Sequence, residues 1–434
     1  MISITKLWVW SITPVVFHFF LQYLLIVPLW ANVKIGFIEA FQAASEKTES
    51  VQIKQKQLEQ SEEKITQSYG GLLPNVSASA SYLMQAEPTT GSASSISNPT
   101  QSTAKLTATQ PLFHGFREFA AIRQLNSEAV AGQMGVDQAK LTLYTQVAKS
   151  YYDVLAAEQD LVNLNTLLDL TLKRVVELKE RNRIGRSRKG EVLSAESQVA
   201  SLRAQVEAGK TQISLARDSL AVATGLNREA TLLDDSDLIP TTVESITNYL
   251  GRLSERPDVQ AYQAQMTGAD EAIWVAKGAH LPSLDLSGNY YLRRSGLLEN
   301  TKWDVTLNLS IPLFQGGAVV SQTRSAVAQF QQSELAFAQG RRAAEREIRS
   351  YYETFSNGLV EIHSLKEAVV AAEDNFKEQN RDYRLGLVTN LEVLQAINTF
   401  QETKRTLDRK RFQIKTAWLS LQAAVGKIPH AKGI

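Results

Sequence analysis

An internal repeat constrains this chain more than any other feature. Tyr383–Leu394 reads YRLGLVTNLEVL, and 201 residues earlier Arg181–Leu193 reads RNRIGRSRKGEVL. Gly185 stands where Gly386 stands, and Val192-Leu193 where Val393-Leu394 stand. Each glycine lies between two long heptad patterns, where an abrupt turn between helices needs a residue free to adopt a left-handed conformation.

The register extends far beyond the turns. Before them Val147, Val154, Leu161, Leu168 and Val175 fall seven apart, as do Ile348, Phe355, Ile362, Val369 and Phe376 at the same offset. After them come Val192, Val199, Val206, Ile213 and Leu220, matched by Val393, Phe400, Leu407, Ile414 and Leu421. Pro111-Leu112-Phe113 is answered by Pro312-Leu313-Phe314. Chance does not produce this, so the chain is a duplication. Each long helix, free of proline from about Gly115 to Gly185, would reach about 105 Å, and each return helix about 53 Å.

Upstream of each long helix the period changes. A polar helix from about Glu46 to Tyr69 carries Val51, Leu58 and Ile65 at intervals of seven, and one from about Asp258 to Gly278 carries Val259, Met266 and Ile273. Alternating segments follow: Val76, Ala78, Ala80, Tyr82 and then Ala104, Leu106, Ala108 in the first half. Leu284, Leu286, Tyr290 and then Trp303, Val305, Leu307, Leu309, Ile311 appear in the second. The predicted strands are 75–86, 103–113, 283–293 and 303–313, each with one apolar and one polar face. Alternation alone does not choose between a soluble sandwich and a membrane barrel, which bury opposite faces. The predicted order is signal peptide 1–31, first repeat 32–225, linker 226–255, second repeat 256–426 and tail 427–434.

Since a return helix covers half of a long one, the short helix is expected to stack end to end with it along the other half. The strands would emerge at one end of the resulting rod and the glycine turns at the other. Four strands cannot close a barrel, and open edges are untenable in lipid, so several chains would share one.

Composition matters in three places. Lys6 and the apolar run Leu7–Trp30, closing on Ala31, read as a secretory signal peptide; the run is also long enough for an anchor. The chain has no cysteine, which excludes disulfides, thiolate metal sites and a lipid-anchored cysteine. Net charge is +1 with no basic field, which argues against nucleic acid. The five histidines show no ligand spacing, and no nucleophile motif or phosphate loop occurs, so no catalytic residue, metal or cofactor is expected.

The punctuation GLLPNVSASASY, QPLFHGF, IPLFQGG and YRLGLVTNLEVLQA, in this duplicated order, resembles the TolC-like outer-membrane efflux protein family. The resemblance implies a mainly α protein with a membrane β-barrel: a homotrimer whose chains share a twelve-stranded barrel in outer-membrane lipid and a twelve-helix periplasmic coiled-coil tunnel. It implies an exit duct for an efflux pump or type I secretion system, fed by a periplasmic adaptor and an inner-membrane pump or ABC transporter. By the same resemblance Ile184, Gly185, Arg186 and Leu385, Gly386, Leu387 are the adaptor-docking tips. Glu392 matches an acidic entrance position, but Gln395 replaces the second, and Glu191 is the repeat equivalent that would restore a ring of carboxylates. Lys105, Asp285 and Asp304 would face the barrel lumen. Arg181, Arg183, Arg186, Arg188 and Lys189 make only the first turn basic. A soluble periplasmic coiled-coil adaptor or scaffold is the competing reading, since such proteins also use long hairpins.

Overall fold

The computed structural model describes residues 34–86, 100–234, 240, 242–295 and 298–428. The expected signal peptide, most of the first strand-connecting loop and most of the C-terminal tail lie outside them. The element order is α1 (Phe37–Lys47), α2 (Glu49–Gly70), β1 (Asn75–Met84), β2 (Thr100–His114), α3 (Arg117–Arg183) and α4 (Lys189–Thr224). It continues with α5 (Ile246–Leu250), a 3₁₀ turn, α6 (Pro257–Gly278), β3 (Ser283–Arg294), β4 (Trp303–Ser310), α7 (Ala318–Leu385) and α8 (Asn390–Ala424).

Helices α3 and α7 run for 67 and 68 residues, about 100 Å each. The heptad residues Val147, Val154, Val175, Val192, Val199, Val206, Leu220, Ile348, Phe355, Val393, Ile414 and Leu421 are buried. As the lengths demand, α2 continues α4 along α3. At the join the Lys47 ammonium donates to the Gly225 carbonyl (3.3 Å) and the Thr48 hydroxyl to the Ala223 carbonyl (3.3 Å).

Three details differ from the sequence reading. The short helix expected from about Glu46 begins at Glu49, and a further helix, α1, precedes it across the extended Thr48 (φ −76°, ψ 124°). Helix α1 buries Phe37, Ala40, Phe41 and Ala44, a spacing of three and four that turns one face onto Tyr144, Tyr151 and Tyr152. The segment 226–255 is more than a connector: Ile35 bridges Leu232 in parallel, and Tyr249 of α5 packs its ring 5.8 Å from that of Tyr352. Finally, α6 does not serve only its own long helix. It lies between α3 and α7, joined to the first by Arg123–Glu271 (2.8 Å) and covering Gly340 of the second with the Tyr262 ring. Helix α8 is likewise wedged between α3 and α7.

The strands form one antiparallel sheet in the order β1-β2-β3-β4. Its register assembles two continuous faces. Val76, Ala108, Gly288 and Val305 are opposite one another, as are Ala78, Leu106, Tyr290 and Trp303, whereas Ser77, Thr107, Asn289 and Asp304 line up on the other side. Pro111, which has no amide proton to give a ladder, sits at a bulge in β2, and β4 ends at Ser310 before Pro312. Among the described residues no other element covers the apolar face: Val76, Tyr82, Trp303, Val305, Leu307 and Leu309 are all at least 60% exposed. β1 and β4 leave open edges.

Tyr151 is fully buried. Its hydroxyl lies 2.8 Å from the Ile35 carbonyl and 2.6 Å from that of Leu233, and it accepts from the Leu233 amide. One proton serves one carbonyl at a time, yet the hydroxyl ties three separate segments together. Tyr151→Phe should cost about 1–3 kcal/mol, read as a lower melting temperature of the folded protein, with the ring packing unchanged.

Candidate functional site

The two interhelical turns, α3–α4 and α7–α8, lie at the end of the rod away from the sheet, and they are built alike. In the first, Gly185 (φ +76°) lets the Arg186 amide donate to the Arg181 carbonyl (2.8 Å). In the second, Gly386 (φ +79°) lets the Leu387 amide donate to the Asp382 carbonyl (3.0 Å). A Cβ at either glycine would meet open space, so the backbone angle rather than crowding demands glycine. Ile184, Arg186, Leu385 and Leu387 are all exposed.

The two acidic residues are each engaged by their own turn. The Glu392 carboxylate accepts from the Thr389 amide (2.6 Å) and hydroxyl (2.9 Å), a reciprocal N-terminal cap of α8. Those bonds, the amide first, hold its carboxyl below the ordinary glutamate value. Glu191 accepts from the Ser187 hydroxyl (2.6 Å). Among the described residues no ion pair or hydrogen bond joins Glu191 to Glu392, and Gln395 is exposed one turn along α8. Lys105, Asp285 and Asp304 do share the polar face of the sheet. Lys105 and Thr107 donate to the Asn289 side chain (3.1 and 2.8 Å), whose amide donates to Asp304 (2.7 Å), while Asp285 lies 2.9 Å from His114.

Residues the sequence did not single out join the two hairpins. Within each hairpin the seam is mainly apolar, with Phe376 stacked on Phe400 among its aliphatic residues. Ion pairs flank it at Glu158–Arg217 (2.6 Å), Lys179–Glu196 (2.7 Å) and Glu361–Lys410. Between hairpins, where α3 meets α8, it carries buried polar groups. Arg174 of α3 donates to the Asn390 side chain (2.8 Å) at the start of α8 and to Glu177 (2.8 Å), and lies 3.7 Å above the Tyr383 ring at the end of α7. Its remaining nitrogen, Nη2, is buried without a hydrogen-bond partner among the described residues. Burial lowers the Arg174 pKa, and the Glu177 carboxylate only partly offsets it. Further along, Asp160 receives Arg405 (2.7 and 2.9 Å) and Arg409 (3.2 Å), and the Asn163 amide donates to Asp408 (2.9 Å). No heptad pattern marks these contacts, because their partners lie 216 to 249 residues apart.

Two long α-helical hairpins continuing into an open four-stranded sheet with an apolar and a polar face define a membrane-channel protomer. The chain belongs to the outer membrane efflux protein family, whose model matches residues 40–226 and 252–427. It is 23% identical over 321 residues to the outer membrane protein TolC of Vibrio cholerae, covering 70% of this chain and 71% of that protein. It is 31% identical over 157 residues to the proteases secretion protein PrtF of Dickeya chrysanthemi, 35% of this chain and 34% of that one. The fold matches the crystal structure of VceC from Vibrio cholerae with a TM-score of 0.78 at 21% identity, covering 90% of this chain and 96% of the other.

Burial pushes the Asp160 carboxyl up, but the Arg405 hydrogen bonds and the two arginine charges outweigh it and hold the pKa below 3.8. A carboxylate with a depressed folded-state pKa stabilises above its unfolded value and loses that contribution as pH falls through the folded value. The α3–α8 contact should therefore weaken only below about pH 4. Channel conductance in planar bilayers, titrated downward from neutral pH, should rise there, and Asp160→Asn should raise it already at neutral pH and flatten the dependence.

Proposed function

We propose that this chain is one protomer of a homotrimeric outer-membrane exit duct, passively conducting cargo delivered by a periplasmic adaptor and an inner-membrane pump or ABC transporter. The observation that carries this is the uncovered sheet. Lipid tolerates its apolar face but not its two open edges, which are satisfied when three copies pair β4 of one with β1 of the next around a wet, polar lumen. The family is one of channels, not an enzyme class. The family description names efflux and the name of PrtF names protease secretion, and these are the two services this reading gives the duct. Trimers that survive electrophoresis of the outer-membrane fraction unheated and dissociate on boiling are expected; a protein found only in soluble periplasm sinks the reading.

We further infer that the α3–α8 seam is the joint at which the entrance opens. Continuous apolar heptads keep each hairpin intact, and the ion pairs beside them are partly exposed, whereas Arg174 is a desolvated charge with an unfilled donor, a contact that is costly to hold. Adaptor binding at the turns would splay the second hairpin from the first by releasing Arg174 from Asn390 and Tyr383. Arg174→Ala should raise single-channel conductance severalfold, with Arg174→Lys between, while trimer yield is unchanged.

Glu191 and Glu392 would then ring the entrance with six carboxylates in the trimer, three from each turn. Their caps fix where those charges sit. The double substitution Glu191→Gln, Glu392→Gln should reduce cation selectivity and block by divalent cations; identical single-channel behaviour of the two proteins would remove this role.

A further inference from the structure

The two corners at which a strand of the sheet gives way to a long helix carry different residues. At the first, His114 ends β2, and Gly115 and Phe116 both adopt the left-handed conformation (φ +68° and +61°) before α3 begins. Phe116 holds a backbone angle that bulky side chains rarely adopt, and a Cβ on Gly115 would collide with the Gly278 carbonyl at the end of α6. The corner is therefore tight. Across it the His114 ring joins two other elements: Nδ1 lies 2.8 Å from the Glu118 carboxylate in the first turn of α3, and Nε2 lies 2.9 Å from the Asp285 carboxylate in β3. At the second corner Gln315, Gly317 and Val319 stand in the places of His114, Phe116 and Glu118, and Ser77 follows Pro74 as Asp285 follows Pro282. None of these four carries a charge, so the cluster belongs to one repeat only.

A neutral imidazole has one N–H and one lone pair, so it satisfies one carboxylate and turns a lone pair toward the other. Only the imidazolium donates to both. An acid in the first turn of α3 serves the helix dipole by itself, but Asp285 on the opposite nitrogen has no such reason to be there. The arrangement suits a proton better than a metal ion, because the two carboxylates lie on opposite ring nitrogens and one ion would reach only one of them. The other ionisable groups around the corner are engaged elsewhere. Arg117 packs its stem on Gly278, Lys277 lies over the Trp274 ring (4.7 Å) and His280 beside the Thr323 hydroxyl (3.5 Å). Further along the polar face Lys105 and Asp304 are bonded to Asn289, and β1, on the other side of β2, has no charged residue. The side chains of His114, Glu118 and Asp285 are 29%, 21% and 30% exposed, so protons reach them.

We propose that His114 is a proton-operated clasp on the corner between sheet and rod. As an imidazolium it holds Glu118 to Asp285 and fixes the direction in which α3 leaves the sheet; on losing its proton it lets one of them go and removes a positive charge from the polar face. The exit-duct reading, on which this part rests, makes that face the wall of a lumen open to the outside medium. The clasp then couples external pH to the firmness of the first corner and to the charge at the base of the barrel, while the corner before α7 answers to no proton.

Amide hydrogen exchange of the trimer in detergent, followed by mass spectrometry and corrected for its intrinsic dependence on pH, reads the corner directly. Between about pH 6 and about pH 10, a range that spans histidine titration, exchange in the first two turns of α3 should accelerate on the order of tenfold, the worth of one charge-assisted hydrogen bond. The first two turns of α7 should stay level. His114→Gln, which copies the second corner, should exchange fast at both ends of the range. Asp285→Asn, whose amide can donate to a neutral ring, should lose the pH step with less disturbance and serves if the glutamine variant misfolds. In planar bilayers the preference for cations over anions should rise with pH in the natural protein and in neither variant. Unchanged α3 exchange across the range, a pH step that survives in both variants, or a His114→Gln corner as slow as the natural one at acid pH overturns the clasp. Trimers that keep the exchange step but fail to conduct overturn the duct reading and leave the clasp standing.

Discussion

Everything in this molecule follows from the need to cover a 100 Å helix along its whole length. No single return helix does it, so α3 is flanked by α4 over the half nearest the turns and by α2 over the half nearest the strands. The join between them, where Lys47 and Thr48 meet the last carbonyls of α4, is a place where the chain must enter and leave the rod. The irregular segments collect there for that reason. Helix α1, the Ile35–Leu232 bridge and α5 surround this level of the rod, pinned by Tyr151 on one repeat and by Tyr249 against Tyr352 on the other.

Two kinds of seam result, and they divide the labour. Apolar heptads hold α3 to α4 and α7 to α8, a contact that depends chiefly on burial, with ion pairs such as Glu158–Arg217 and Glu361–Lys410 at its margins. The α3–α8 seam uses Arg174, Asp160, Asn163, Arg405 and Asp408, whose contribution is smaller and depends on geometry. A structure that must stay assembled yet move at one joint gains from placing its charged contacts at that joint.

Much of this was legible in sequence because heptads, strand alternation and the 201-residue register are properties of single segments. The turns were found by their glycines, and the acids beside them by position. What the sequence hid falls into two groups. Helix α1 was hidden because Phe37, Ala40, Phe41 and Ala44 follow closely on the apolar run Leu7–Trp30, whose hydrophobicity masks their helical spacing. The Arg174–Asn390–Tyr383 contact was hidden because nothing local distinguishes an arginine that will be buried on a neighbouring hairpin from one that stays in water. The cap that Glu392 makes for its own helix was also not marked by the pattern; it fixes where that carboxylate sits.

The sheet has a consequence for how the duct comes into being. Its central ladder joins β2 to β3, partners such as Leu106 and Tyr290 that are 184 residues apart, and among the described residues no other element shelters its apolar face. The hairpins have their own aliphatic cores and can mature on an isolated chain. The strands cannot, because their last hydrogen bonds are supplied by other copies. Barrel closure is therefore a collision-limited event among three chains, and its rate should depend on how crowded the membrane surface is with unfinished protomers.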